Sequence, residues 1–192
     1  MARYIKAVCR LCRREGEKLF LKGTKCTTPK CPVSKRAYAP GQHGSNRPKL
    51  SNYGLQLREK QKVKRMYGVL EKQFRRYFRL ASKTKGVTGR ILLQLLERRL
   101  DNVIFRLGIA ASRAYARQIV RHNFVYVNSR RVNIPSYLVK KDDVVQIKAK
   151  EKAQNKVREN LEVTKDRGVP TWLDFVAKEL NAKVLRLPEK ED

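Results

Sequence analysis

"LLERRLDNVIFRLGIAASRAYARQIVRHNFVYVNSRRVNIPSY" (95–137) decides the fold, because its apolar period changes part-way along. Leu92, Leu96, Leu100, Val103 and Leu107 recur at three- and four-residue steps. That spacing predicts one amphipathic helix through "ILLQLLERRLDNVIFRLG", with Thr88 as its candidate N-cap and Gly108 as its end. Ser112 opens a second helix whose Ala116, Ile119 and Val120 point inward. Arg113, Arg117 and Arg121 recur every four residues. They are predicted to form one basic ridge with no acid nearby, suited to bidentate phosphate contact.

After His122 the period becomes two. Val125 and Val127 alternate, Asn128-Ser129 turns, and Val132 and Ile134 return, placing Arg130 and Arg131 beside the turn. "DDVVQIK" (142–148) supplies another strand, and residues 151–166 read as an exposed helix. "TWLDFV" (171–176) and "AKVLRLP" (182–188) fit two further short strands, with a helix capped by Thr171 as the alternative. Two helices followed by antiparallel strands make the fold class α+β.

Upstream, "CRLCRREGEKLFLKGTKCTTPKC" (9–31) holds every cysteine of the chain. Two residues separate Cys9 from Cys12, four separate Cys26 from Cys31, and thirteen lie between the pairs. "MARYIKAVCRLCRREG" has no uninterrupted apolar run of the kind that directs export, so an oxidising compartment is not expected. In a reducing one, two short-spaced pairs suit a tetrahedral four-thiolate site. The expected metal is zinc, with an iron–sulfur cluster or unliganded thiols as alternatives. Four cysteines leave no open coordination position, and His43 and His122 stand far apart without partner ligands. The site therefore reads as structural. It has a physical motive: residues 1–44 carry few large apolar side chains, too few to offset their conformational entropy.

The chain has 192 residues, and 46 Lys and Arg against 17 Asp and Glu give a formal charge of +29. Residues 1–50 hold thirteen basic and two acidic groups, 51–90 twelve and two, and 91–150 twelve and four. Residues 151–192 are balanced at nine each. A surplus of this size calls for a polyanion, and nucleic acid fits because neutralised phosphates release counterions. No apolar run approaches the ~18–20 residues of a membrane helix, so no membrane partner is expected.

Between the arm and the module, "APGQHGSNRPKLS" (39–51) reads as an extended connector. Ser51 caps a helix in which Arg58, Lys62 and Arg65 share a face. Gly68 breaks it, and Val63, Met66, Leu70, Phe74 and Tyr77 continue the apolar stripe. Lys72, Arg75, Arg76 and Arg79 crowd the outside of the next helix, where their excess over acids favours phosphate contact.

These residues carry a resemblance. The quoted stretch 95–137 is similar to the RNA-binding module of ribosomal protein S-four. "MARYIKAVCRLCRREGEKLFLK", "APGQHG", "LREKQKVKRMYGVLEKQFRRYF" and "PTWL" resemble that family in the same order, over nearly the whole chain. The chain is identified as a member of this small-subunit ribosomal protein family, in its four-cysteine form. The resemblance implies a non-enzymatic constituent of the small ribosomal subunit, in the cytoplasm. It implies binding to the 5′ region of small-subunit ribosomal RNA at a multi-helix junction, early in assembly. It also implies contact with ribosomal proteins S-five and S-three, support of decoding accuracy at the former, and proximity to messenger RNA where it enters the subunit. Arg47 and Lys49 follow "PGQHG", where the family presents basic residues near that entrance. The chain departs from the family at Ser129, where a glycine is usual, and at "LPEKED", where the family continues into a terminal helix.

The expected organisation is a metal-stapled arm (1–44; Cys9, Cys12, Cys26, Cys31), a basic helical domain (45–90), the S-four-type module (91–188) and a short tail (189–192). The module is expected to pack two helices on a small antiparallel sheet. The residues assigned to RNA are Arg13, Arg14, Lys35, Arg36, His43, Arg47, Lys49, Arg58, Lys62, Arg65, Lys72, Arg75, Arg76, Arg113, Arg117, Arg121, Arg130 and Arg131. Three other readings compete. "RRLD" (98–101) echoes the Arg-Leu-Asp of pseudouridine synthases that carry the same RNA-binding module, with Asp101 as nucleophile, yet the apolar register puts Asp101 on a helix surface. A heat-shock ribosome-recycling protein lacks the cysteine arm and basic helices. A DNA-binding zinc protein needs a recognition helix between Cys12 and Cys26, and no helical period is present there.

Overall fold

The computed structural model describes residues 3–46, 49–148 and 151–189. Among the sequence expectations, Arg47 and the tail beyond Glu189 lie outside these residues. The chain divides into two compact units between Arg75 and Arg76.

In the first unit, α1 (Cys9–Glu15) places Cys9 and Cys12 three residues apart on one helical face. Gly16, at φ 71°, ends the helix in a left-handed conformation that glycine adopts without a Cβ penalty. A 3-10 turn (Gly23–Cys26) and the single-turn helix α2 (Pro32–Lys35) carry the second cysteine pair. Pro32 suits the start of α2, where a backbone N–H lacks a partner in any case. Residues 42–45 form turns instead of the expected extended connector, with the Gly44 N–H donating to Gly41 O at 3.2 Å. The hydroxyl of Ser51 accepts from the Gly54 N–H at 3.2 Å and caps α3 (Asn52–Met66), as the sequence predicts. Gly68 sits at φ 64° in the break before α4 (Glu71–Lys83). The predicted apolar stripe is only partly used: Phe74 and Tyr77 are buried, and Leu70 is exposed.

The second unit takes in the rest of α4, then α5 (Thr88–Glu97), α6 (Leu100–Arg106) and α7 (Arg113–Arg121). The single helix expected through 91–108 is therefore two. The interruption comes at Arg99, whose backbone is extended at ψ 134°. Segment 135–139 runs alongside: the Leu100 N–H donates to Tyr137 O at 2.9 Å, and the Asp101 N–H to Pro135 O at 3.2 Å. The Val139 N–H donates back to Arg98 O at 3.0 Å. The orphan donors of a helix start thus find loop carbonyls, which makes the break affordable inside the fold. Helical phase resumes so soon that the apolar period hides it.

Five strands form one antiparallel sheet in the order β2-β1-β3-β5-β4. They are β1 (Val125–Val127), β2 (Arg130–Arg131), β3 (Val144–Ile147), β4 (Leu173–Val176) and β5 (Asn181–Val184). The two C-terminal segments take the strand alternative and not a helix capped by Thr171. The return strand is shorter than expected, because the chain beyond Val132 leaves to line the α5–α6 break, and Ile134 is exposed. Asn128 and Ser129, at φ 48° and 66°, make the two-residue turn that suits strand twist. Ser129 carries mild strain where glycine would carry none. Asn128 is held in place: its amide donates to Asp143 at 2.8 Å, and its carbonyl oxygen accepts from the Val144 N–H at 2.9 Å.

Leu100, Val103 and Ile104 of α6, with Leu107 just after it, pack with Ile119 and Val120 of α7. The inward residues of β1, β3 and β5, together with Trp172, complete this core. α8 (Glu151–Thr164) is not merely exposed, since Val157 joins the core. The Thr164 hydroxyl donates to Gly108 O at 2.7 Å. A Cβ on Gly108 would stand 2.7 Å from that hydroxyl oxygen, so the residue must be glycine for two reasons, contact and its φ of 75°.

Candidate nucleic-acid interface

The basic residues fall into two sets, and acids decide which. On α3, the predicted face of Arg58, Lys62 and Arg65 is turned toward α1. Glu15, with a side chain 1% exposed, accepts from Arg58 at 3.5 Å and from Arg65. Its other oxygen is buried without a hydrogen-bond partner. Lys62 pairs with Glu17 at 2.8 Å and Glu59 at 3.1 Å, and these carboxylates hold its ammonium above the ordinary range. Lys60 and Lys64 clasp Glu71 at 2.9 and 2.8 Å, holding its carboxyl down at about 2, and Arg75 adds a contact at 3.2 Å. The Arg58–Lys62–Arg65 face expected to meet RNA thus docks one helix on another.

Arg13 is also engaged internally. Its guanidinium donates to Tyr38 O at 3.0 Å and lies 4.9 Å above the Tyr38 ring. It therefore shapes the loop that follows α2. Arg14, Lys35, Arg36, His43 and Lys49 are exposed.

The expectation that no acid stands near the Arg113–Arg117–Arg121 ridge is corrected. Asp101 lies buried at 4% exposure, not on a helix surface, and an acid does stand near the ridge. Arg99, 1% exposed, donates to both Asp101 oxygens at 3.1 and 2.6 Å and to the Tyr77 hydroxyl at 2.8 Å. Arg117 reaches the same carboxylate at 3.4 Å. Arg113 donates to Asn102 Oδ1 at 2.8 Å and covers the Phe105 ring at 4.3 Å. Asn102 in turn donates to Glu97 at 2.7 Å, and Arg106 grips Glu97 through two bonds at 2.9 and 2.8 Å. Burying such charges is tolerable only with this degree of pairing. Arg121 alone of the three is exposed.

Further basic residues are open to solvent: Lys72 and Arg75 in the first unit, and in the second Arg76, Arg79 and Lys83 of α4, Arg121 at the end of α7, and Arg130 and Arg131 on edge strand β2. Lys83 continues the four-residue spacing of Arg75 and Arg79 and is exposed with them. Glu15 is missed as an organiser because its partners lie 43 and 50 residues away, and Asp101 because the break at Arg99 turns it inward.

The four cysteines are free thiols, and all line one small cavity with Lys22 and Pro32. Cys12, Cys26 and Cys31 are buried. The Lys22 N–H donates to Cys26 Sγ at 3.3 Å, an interaction suited to a thiolate. Burial pushes the Cys12 thiol up, a backbone hydrogen bond from Leu19 opposes this, and the other three cysteines add to it. Among the described residues, no group of three or more Cys, His, Asp or Glu side chains is close enough to hold a metal ion. The donor set fits a four-thiolate metal in type and number; its present spacing does not close around one.

The ribosomal protein S4/S9 N-terminal domain family matches residues 3–97, and the S4 domain family matches residues 98–145. The chain belongs to the uS4 family. Proteins named small ribosomal subunit protein uS4 are 60% identical in Acetivibrio thermocellus, over 192 residues. The values are 59% over 191 residues in Pelotomaculum thermopropionicum and 57% over 192 in Thermodesulfovibrio yellowstonii. Each alignment covers 100% of this chain and 92% of the relative. In this uS4-family chain the two family matches meet at the end of α5, where the Arg99 break lets the 135–139 segment in. The Arg99–Asp101 pair is thus built into the start of the RNA-binding module.

Proposed function

We propose that the chain is a structural, non-enzymatic constituent of the small ribosomal subunit, in the cytoplasm, and binds small-subunit ribosomal RNA. The observation that carries this reading is the exposed basic surplus of the second unit, with Arg76, Arg79 and Lys83 of α4, Arg121 of α7 and Arg130 and Arg131 of β2 all open to solvent. Those side chains meet phosphates, and the backbone positions the protein more than it specifies sequence. The RNA is the 5′ region of the small-subunit molecule at a multi-helix junction, bound early in assembly. Ribosomal proteins S-five and S-three and incoming messenger RNA are its neighbours, and contact with S-five supports decoding accuracy. The homologues' names support the place in the small subunit, and the resemblance of the module supports this finer reading. Among the described residues no helix is long and apolar enough to cross a membrane.

Cys9, Cys12, Cys26 and Cys31 hold one structural zinc ion, with an iron–sulfur cluster as the alternative. Zinc bound there supplies folding free energy to an arm short of apolar core. What supports this is the convergence of all four thiols on one cavity. Pseudouridine synthesis is not supported: Asp101 is buried and spends both oxygens on Arg99, so no substrate meets it.

The experiment is a salt titration of binding between the full-length protein and a 5′-domain ribosomal RNA transcript. Arg76→Ala, Arg121→Ala and Arg131→Ala are each expected to flatten the salt dependence by about one phosphate contact. Unchanged slopes in all three would remove the phosphate assignment. Arg117→Ala is expected to change the slope less, because its guanidinium is already committed to Asp101.

A further inference from the structure

Beside α1, residues 39–46 enclose an open cleft of about 800 Å³, lined by Arg14, Pro40, Gly41, Gln42, His43 and Asn46 among others. That volume lies within the ~300–1,000 Å³ typical of small-molecule sites. No carboxylate lines it. Its side chains include a guanidinium, an imidazole and two carboxamides, so donors and acceptors converge on one concavity.

The cleft is shaped in advance of any occupant. Arg13 holds the carbonyls of Tyr38 and Ala39 at 3.0 and 3.4 Å and stacks on the Tyr38 ring. Gly44 closes the turn: a Cβ there would stand 1.8 Å from Ala39 O. The Asn46 N–H donates to His43 O at 3.2 Å, fixing the far side. A loop held this firmly loses little freedom on binding.

We infer that this cleft receives a single unpaired nucleotide of the ribosomal RNA, with Arg14 at its phosphate and Gln42, His43 and Asn46 at its base. The inference rests on the RNA-binding reading above and adds a base-reading site to it. Cations alone would serve for phosphate; carboxamides beside them match the hydrogen-bonding edges of a splayed base, which is how proteins read single-stranded RNA. A continuous RNA helix presents no isolated base to such a cleft.

The test uses the full-length protein and the 5′-domain transcript. A photoreactive amino acid at position 42 is cross-linked to the RNA, and the nucleotide is mapped by reverse-transcription stops. The expected nucleotide is unpaired. Gln42→Ala combined with Asn46→Ala is expected to lower affinity roughly tenfold at constant salt slope, since two hydrogen bonds are lost and no charge. Deleting the base of the mapped nucleotide is expected to reproduce that loss in the wild-type protein and to add nothing in the double variant. Cross-links confined to paired nucleotides, or losses that add independently, overturn the cleft assignment while wild-type binding persists. Absence of wild-type binding would instead overturn the RNA-binding reading.

Discussion

The two units are similarly basic in outlook but are held together by different means. In residues 3–75 the buried apolar set is short: Cys12, Leu19, Cys26, Cys31, Val69 and Phe74. Three of those six are thiols, and the α1–α3 contact is made of Glu15 and Glu17 against Arg58, Arg65 and Lys62. In residues 76–189 a continuous apolar cluster runs from α6 and α7 through the sheet to Trp172. Charge pairs there sit at the border of a finished core. Where apolar area is scarce, ion pairs and buried thiols must help define the fold; where it is plentiful, charge pairs refine it.

The largest expected effect separates the units outright. Treating the purified protein with a strong zinc chelator, or replacing Cys12 and Cys26 with Ser, is expected to remove amide-exchange protection from residues 9–35. Protection in α6, α7, β1 and β3 should stay as it was. An arm that keeps its protection would show that the thiols pack without metal, and loss across both units would erase the contrast.

A smaller effect is expected from Asp101→Asn. The substitution leaves the buried Arg99 guanidinium without its counter-charge, at a cost of about 3–5 kcal/mol. Urea unfolding followed at Trp172, buried in the second unit, measures it. A loss below about 1 kcal/mol would mean that the Tyr77 hydroxyl and a neutral amide suffice for Arg99.

The smallest effect belongs to the surface pairs of the first unit. Lys60 and Lys64 hold Glu71 at about 2, below its ordinary 4.5. The stabilisation is therefore complete above about 4.5 and is lost as pH falls through about 2. Because Glu71 is partly exposed, added salt should weaken the effect. NMR titration of the carboxyl checks it, and a midpoint near 4.5 would dismiss the pairing.

Much of this was legible locally. Ser51 and Ser112 cap helices as their hydroxyls and spacing require, and Gly68 and Gly108 end segments where positive φ is needed. The Asn128-Ser129 turn follows from the switch to period two. The α5–α6 break was not legible, because only two residues leave the helix and Leu100 falls back into phase. Reading the Arg113 ridge required knowing that Asp101 turns inward, which depends on that break.

By itself, the sequence determined the α+β class, the succession of caps and turns, the basic surplus and the four-thiol pattern. These depend on neighbours within a turn or a strand, or on composition. Only the tertiary structure decided which arginines are spent inside the protein and which face outward. A guanidinium's role is set by the carboxylate that reaches it, and Glu15 lies 43 and 50 residues from Arg58 and Arg65. No local spacing encodes a Coulomb partner at that separation; folding has to bring it there.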